Sequence, residues 1–267
     1  RAHYELNEVV KGDELVDRLL KLSDPADYGD SFHLGDLVDD LLLRGRADRA
    51  LTLAKSLSGS EYMRQMKLLK IADLFIRDKN FIGAADALDF AYAETSKIDV
   101  SEPESGSLWS SGQWDQAQYR ARIALRLVSI GQRDRALAMI RDLKKPYLRA
   151  QALAEFVGLS SKALPKSQLV GYLDESLASV RVTKDVIFDA RRYEVYPIIA
   201  RTFASLGYKD RANGVFAEAI TKSVESYGHN LHPVCKIGVE YGQSRLIADA
   251  GLRSSLARFI KEWEQEQ

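Results

Sequence analysis

The chain has 267 residues, 46% of them hydrophobic, and its 38 basic residues are balanced by 38 acidic ones. That length and apolar content suffice for a folded core, while zero net charge argues against a nucleic-acid binder that works by neutralising phosphates. A lone cysteine, Cys235, excludes an internal disulfide framework and fits a reducing compartment, so we expect a soluble, cytoplasmic protein. No apolar run is long enough for a transmembrane helix, and the start at Arg1 instead of methionine suggests a removed leader.

Apolar residues recur with helical spacing along the chain, whereas strand-like alternation is hard to find. Leu15, Leu19 and Leu22 share one stripe. In chain order the pattern predicts helices at 4–10, 13–22, 32–43, 48–57, 61–77, 81–97, 114–130, 134–143, 147–158, 166–181, 184–206, 210–226, 233–249 and 252–265. The predicted fold class is therefore all-α.

One phrase is written three times, as GRADRALTLAKSL from residue 45, GQRDRALAMIRDL from 131 and, more loosely, GYKDRANGVFAEAI from 207. Its glycine suits the left-handed conformation that ends a helix, its aspartate is placed to cap the next helix, and its alanine allows close helix packing. These residues are Gly45, Gly131 and Gly207, then Asp48, Asp134 and Asp210, then Ala50, Ala136 and Ala212. Each phrase predicts the turn of an antiparallel helical hairpin, with positive φ at the glycine.

A second signature follows two of these turns. Tyr62 and Arg64 follow Gly45 with nearly the spacing at which Tyr147 and Arg149 follow Gly131. Helical hairpins that cannot bury their apolar faces alone must stack on one another, which is the arrangement of a solenoid.

With these features the chain resembles the tetratricopeptide-repeat (TPR) family. The best matching segments are YPIIARTFASLGYKDRANGVFAEAI, from residue 196, and LLKIADLFIRDKNFIGAADALDFAYAE, from residue 68. The residues in the family's places are Ile199, Ala200, Phe203, Gly207, Ala212, Phe216 and Ala219, and Ile71, Ala72, Phe75, Phe81, Ala84, Leu88 and Ala91. The sequence departs from the family where Lys79 replaces the turn glycine and where the turn glycines lie 86 and 76 residues apart.

The resemblance implies a right-handed α-solenoid of irregular TPR-like antiparallel hairpins. We expect a single α-helical repeat domain over 1–267, with repeats at 32–226. Acidic capping helices at 1–31 and further capping helices at 227–267 would close its ends. A loop at 98–113, anchored by Trp109, interrupts the repeats, and this tryptophan either packs over a helix end or contacts a partner.

The acidic start of the chain has two interpretations. Through Asp40 it carries eleven acidic residues against four basic ones. The segment would either lie against the repeats and compete with an acidic ligand, or use its leucine stripe to cap the first hairpin.

Two residue groups have the composition of a metal or catalytic site. His229, His232 and Cys235 stand at intervals of three, but no fourth ligand is nearby, and Pro233 is expected to start a helix after the histidines. His33 shares a predicted helix with three aspartates, for which a salt-bridged acidic face is the favoured interpretation. These aspartates are Asp36, Asp39 and Asp40. Since no nucleophile, phosphate-loop or dinucleotide motif occurs, we expect no catalytic residue, metal or cofactor.

In TPR arrays the first helix of each hairpin lines the inner groove, so the resemblance points to polar residues on those helices. Together with the loop tryptophan, the candidates are Lys70, Asp73, Arg77, Trp109, Gln118, Arg122, Glu194 and Arg201. This set implies a scaffold or adaptor that binds a protein or peptide partner of acidic character. A competing interpretation is that these charges pair with neighbouring acids inside the array. The functional alternatives are an RNA-binding helical-repeat protein and an all-α enzyme whose site is assembled between helices.

Overall fold

The computed structural model describes residues 9–22, 28–57, 61–98, 112–182, 192–227, 231–244 and 246–266. Within these ranges the chain forms thirteen α-helices and no strand, which confirms the all-α class. The helices are α1 (Val9–Leu22), α2 (Tyr28–Leu43), α3 (Ala47–Ser56), α4 (Glu61–Arg77), α5 (Phe81–Thr95), α6 (Gly112–Ser129), α7 (Arg133–Arg141), α8 (Pro146–Ser160), α9 (Lys166–Arg181), α10 (Arg192–Ser205), α11 (Lys209–Tyr227), α12 (Leu231–Ser244) and α13 (Ala250–Glu266). None of these helices is long and apolar enough to span a bilayer.

Most predicted helices correspond to observed ones, with three differences. Helix α1 runs without interruption from Val9 to Leu22, across the break predicted at 11–12. Helix α2 begins at Tyr28 instead of at residue 32. The predicted helix 233–249 is shifted, because α12 runs from Leu231 to Ser244. Much of the predicted loop 98–113, with Trp109, lies outside the described residues, as does the start of the predicted helix 184–206.

The chain divides into two compact units, Arg1–Ala136 and Leu137–Gln267. In the first unit, consecutive helices pack as α2 with α3, α3 with α4, α4 with α5 and α5 with α6. Helices two apart also pack, as α1 with α3, α2 with α4, α3 with α5 and α4 with α6. First helices of neighbouring hairpins therefore contact each other, and so do second helices.

In the second unit consecutive helices from α8 to α12 pack together, and so do several helices two apart. Helix α8 packs on α9 and α10, and α10 packs on α9, α11 and α12. Helix α11 additionally contacts α12 and α13. The expected single repeat domain over 1–267 stays a prediction.

The predicted positive φ at the turn glycines is confirmed, with values of 69° at Gly45, 85° at Gly131 and 93° at Gly207. Lys79 adopts the same conformation, with φ of 59°, so a fourth turn has this geometry without a glycine. In all four turns, the backbone amide of the residue that follows the positive-φ residue donates to the carbonyl five residues before it, at 2.9 to 3.0 Å. These bonds join Arg46 to Leu41, Asn80 to Phe75, Gln132 to Leu127 and Tyr208 to Phe203. This Schellman bond, which closes the C-terminus of a helix, defines the hairpin turn.

The turn aspartates do not have the predicted capping position. Helix α3 begins at Ala47, so its N-cap is Arg46, which makes no side-chain capping bond, and Asp48 lies in the first helical turn. Asp134 and Asp210 likewise lie in the first turns of α7 and α11. There they favour the helix through its dipole. A side-chain cap does occur at the fourth turn, where the side chain of Asn80 accepts from the Gly83 amide at 3.0 Å.

The residues that carry the family resemblance are in the core, apart from the exposed turn glycine Gly207 and one apolar side chain. In both matching segments the apolar side chains at those places are at most 3% exposed. Phe81 is the exception, because it is exposed at the start of α5. The alanines after all four turns are fully buried, which lets the two helices of each hairpin approach closely. They are Ala50, Ala84, Ala136 and Ala212.

Hairpin α4–α5 and hairpin α8–α9 each contain an internal polar contact, at equivalent positions that are 85 residues apart in the sequence. In the first, the amide nitrogen of Gln65 donates to the Ala91 carbonyl at 2.8 Å. In the second, the Ser176 hydroxyl donates to the Ala150 carbonyl at 2.6 Å. Residue 150 corresponds to 65 and residue 176 to 91, so the same pair is joined in both hairpins with donor and acceptor exchanged.

Candidate functional site

A cleft of about 610 Å³ lies between α2 and α4 in the first unit. Its walls contain three of the eight predicted site residues, Lys70, Asp73 and Arg77, which recur along one face of α4. The rest of the lining comes from α2, the turn after it, and one residue of α4, namely Asp39, Leu42, Leu43, Gly45 and Leu74. The cleft therefore combines apolar walls with charges of both signs.

Asp39 is the acidic centre of the α2 wall. Its carboxylate accepts from Nζ of Lys67 at 2.7 Å and from Nζ of Lys70 at 3.3 Å. Burial raises the pKa of Asp39, but the hydrogen bonds and charges of the two lysines outweigh it and lower that pKa below its ordinary value. Since Lys67 is almost buried and Lys70 is half exposed, Lys70 is the partner that a ligand can reach.

The other two α4 charges are also paired. Both carboxylate oxygens of Asp73 accept from the guanidinium of Arg126 on α6, at 2.8 and 2.7 Å. This two-pronged geometry is the strong form of an ion pair. Among the described residues Arg77 pairs with its neighbour Asp78 alone, at 2.9 Å, and both side chains are well exposed. Exposed pairs of that kind contribute little free energy.

Gln118 and Arg122 lie one helical turn apart on α6, which contacts α4. Both are half-buried. Nη1 of Arg122 lies 3.6 Å from the sulfur of Met66, and no carboxylate among the described residues is within ion-pair distance of this guanidinium. We call the face formed by α2, α4 and α6 the first-helix face. Arg122 is a cation on this face with no carboxylate partner among the described residues.

In the second unit Arg201 on α10 pairs with Glu240 on α12 at 2.6 Å and with Gln243 at 3.1 Å. Glu194 lies on α10, but its side chain is outside the described part of the structure. Trp109 lies outside the described residues altogether. For Lys70, Asp73, Arg77 and Arg201 the structure thus has the internal pairing that the competing interpretation expected. Their role in partner binding stays a prediction.

A set of ion pairs on the second helices was not anticipated from the sequence. Lys55 of α3 pairs with Asp86 of α5 at 2.8 Å, and Arg181 of α9 pairs with Glu218 of α11 at 2.5 Å. Arg211 of α11 also forms an ion pair with Asp174 of α9. The last two pairs border a second cleft, of about 440 Å³. These ion pairs join helices that are not consecutive in the chain. Local sequence patterns do not show which of those helices lie close together.

Two exposed apolar side chains were also missed. Leu43, at the end of α2, is 86% exposed, and Ile82, at the start of α5, is 87% exposed. Leu43 lines the α2–α4 cleft. The signal that could have found them is an alignment of the four hairpin turns with one another.

The candidate metal and catalytic groups are placed as follows. Cys235 is exposed on α12, His232 lies in the first turn of the same helix instead of in the predicted loop, and His229 is outside the described residues. Asp39 is held by two lysines. Within the described part of the chain no three acidic, histidine or cysteine side chains are grouped so that they could hold a metal ion.

Comparisons with protein-family models, with curated protein sequences and with solved structures give no match to this chain. The assignment of function therefore depends on the geometry of the chain itself.

Proposed function

We propose that the chain is a TPR-like α-solenoid that acts as a scaffold or adaptor, binding a protein or peptide on its first-helix face. The architecture is supported by the packing of consecutive helices, and of several helices two apart, within each unit. Four hairpin turns of one geometry and the burial of the family positions support it further. In such arrays contiguous first helices form one extended surface for a partner.

The observation that carries the binding proposal is Arg122. A half-buried arginine on a polar face, with no carboxylate partner among the described residues, has already lost part of its hydration. A carboxylate from a partner would gain a charge-assisted hydrogen bond there without first breaking an internal one. Lys70 adds a second reachable cation, because Lys67 alone can keep Asp39 paired.

The test is affinity capture from cells of the source organism with purified wild-type protein and with the variant Lys70→Glu/Arg122→Glu. The partner retained by the wild type is identified by mass spectrometry, and its affinity for both proteins is measured. We expect binding to the variant to be about tenfold weaker or worse, since two attractive charges become repulsive. The control is Lys144→Glu, which reverses an exposed charge between α7 and α8. Equal partner affinity for wild type and the first-helix variant would refute the proposal.

RNA binding is the second candidate, and the pairing of Lys70, Arg126 and Arg201 with acidic side chains disfavours it. If the chain bound RNA, its affinity for a 20-nucleotide polyuridine would fall steeply as the salt concentration rises. We expect no binding of this probe at 150 mM salt.

A further inference from the structure

The four hairpin turns allow the chain to be compared with itself. Two residues before the turn residue, the hairpins carry Leu43, Arg77, Ser129 and Ser205. Three residues after it, they carry Asp48, Ile82, Asp134 and Asp210. Leu43 and Ile82 are the apolar members of these two sets, and they occur at adjacent turns of the first unit.

Neither departure is explained by the fold. Both side chains are almost fully exposed, so neither contributes to the core. At the second residue of a helix an aspartate stabilises the helix dipole, an advantage that Ile82 gives up. Leu43 and Ile82 each expose a large aliphatic side chain, at two adjacent turns. Such exposure is typical of a surface that another molecule covers.

The charges around Leu43 indicate what covers it. Leu43 shares the cleft with Lys70 and Arg77, while the acidic residues there are neutralised, Asp73 by Arg126 and Asp39 by Lys67. In the described part of the chain Arg77 has one ion pair, the weak, exposed pair with Asp78, and Lys79, which has none there, follows in the turn. The reachable charge is therefore positive and is located next to apolar side chains.

We infer that Leu43, Arg77 and Ile82, with the α2–α4 cleft, bind a peptide segment in which an aliphatic or aromatic side chain is adjacent to a carboxylate. The apolar side chain enters the cleft beside Leu42 and Leu74, and the carboxylate meets Arg77. A concave cleft fits a protruding side chain of a peptide, whereas a flat membrane surface cannot enter it. This inference rests on the proposed function and narrows it to one end of the first-helix face.

The experiment selects peptides from a phage-displayed library of random 12-residue sequences, with the full chain as bait. Selected peptides are synthesised with a fluorophore, and their dissociation constants are measured by anisotropy. The variants take residues from the chain's own equivalent positions, Leu43→Ser and Ile82→Asp, so that they retain the fold. Arg77→Ser, which copies Ser129 and Ser205, is a third variant. Leu159→Ser is the control, because Leu159 is an exposed leucine on α8, in the other unit.

Selected peptides are expected to pair an acidic residue with a leucine, isoleucine, phenylalanine or tryptophan. Leu43→Ser/Ile82→Asp and Arg77→Ser should each weaken their binding about tenfold or more, the effect of losing one buried aliphatic side chain or one charge-assisted bond, and Leu159→Ser should not. Peptides that bind the Leu43→Ser/Ile82→Asp variant as well as the wild type, but not the Lys70→Glu/Arg122→Glu variant, would overturn the inference and leave the proposed function standing. A failure to select any peptide, or binding to phosphatidylserine vesicles that these variants abolish, would also overturn it.

Discussion

Arg64 and Glu94 form a buried ion pair between α4 and α5, with 2.8 Å between Nη2 and Oε2 and side chains 12% and 4% exposed. Arg64 also donates to the Leu57 carbonyl at 2.6 Å, which ties the end of one hairpin to the start of the next. In the second unit Arg149 stands in the same place, facing the Ser179 hydroxyl at 3.3 Å and the Leu143 carbonyl at 3.5 Å. The predicted Tyr-x-Arg signature is thus a connection between successive hairpins.

Removal of the carboxylate at this connection should destabilise the fold strongly. Glu94→Ala leaves Arg64 buried with an uncompensated charge, so we expect the free energy of unfolding to fall by about 3 kcal/mol. Urea denaturation measures it. The control, Glu155→Ala, removes a half-buried carboxylate that, among the described residues, accepts from Gln151 alone, and should cost less than about 1 kcal/mol. A double-mutant cycle with Arg64→Ala that shows additive losses would contradict a direct interaction.

The turn conformation predicts opposite effects of alanine at two glycines. A Cβ at Gly131 or at Gly158 would meet no atom within 4 Å, so sterics do not distinguish them. Because only Gly131 has positive φ, Gly131→Ala should lower the free energy of unfolding by about 1 kcal/mol. Gly158→Ala, inside α8, should raise it by up to about 1 kcal/mol. Thermal denaturation gives both signs, and equal signs would contradict the turn assignment.

Lys79 supplies the complementary change. Its φ of 59° places a lysine in a conformation that suits glycine, so Lys79→Gly should raise the free energy of unfolding by about 0.5 kcal/mol or more. A loss of stability in this variant would mean that the lysine side chain contributes more than its backbone conformation costs.

The pKa of Asp39 predicts a specific acid sensitivity. Its folded-state pKa lies below the ordinary 3.8, so its contribution to stability is present above pH 3.8 and is lost as the pH falls through the lower, folded-state value. Compared with wild type, Asp39→Asn should therefore be less stable at pH 6, and the two proteins should converge once the pH is below the folded-state pKa of Asp39. Urea midpoints at several pH values test this. A difference that stays constant down to the lowest pH would show that Asp39 does not titrate as described.

Helix α1 allows the two interpretations of the acidic start to be separated. Val16 is buried, while Asp13 and Asp17 pair with Arg46 and Arg49 at the start of α3. We expect Val16→Ala to lower the melting temperature by several degrees, since about 1 to 2 kcal/mol of apolar burial is lost. Asp13→Asn/Asp17→Asn should leave partner affinity unchanged if α1 caps the repeats. Tighter partner binding by this doubly neutralised variant would favour competition instead.

The sequence predicted features that depend on near neighbours. Gly45, Gly131 and Gly207 were assigned to left-handed turns because helix periodicity stops before them and restarts after them. Lys79 could be included only through the repeat alignment, since lysine by itself carries no turn signal. Asp48 was expected to be a cap because helix starts are uncertain by a residue, and the observed start at Ala47 moves it into the helix.

The pairing of the candidate site residues could not be predicted in the same way. Arg126 and Asp73 are 53 residues apart, and their contact depends on the packing of α6 on α4. Lys67 was not a candidate, although its position beside Asp39 leaves Lys70 reachable. Local spacing assigns a residue to a face of its own helix, whereas its partner is set by the neighbouring helix.

Site-specific photocrosslinking in cells can show whether a partner covers the first-helix face. A benzophenone amino acid is placed at Gln118, on that face, or at Thr52, exposed on the second helix α3, in cells that make the full chain. Irradiation should produce a discrete protein adduct from position 118 and none from position 52, and Arg122→Glu should abolish that adduct. An adduct from position 52 alone, or one from position 118 that survives Arg122→Glu unchanged, would contradict the proposed binding face.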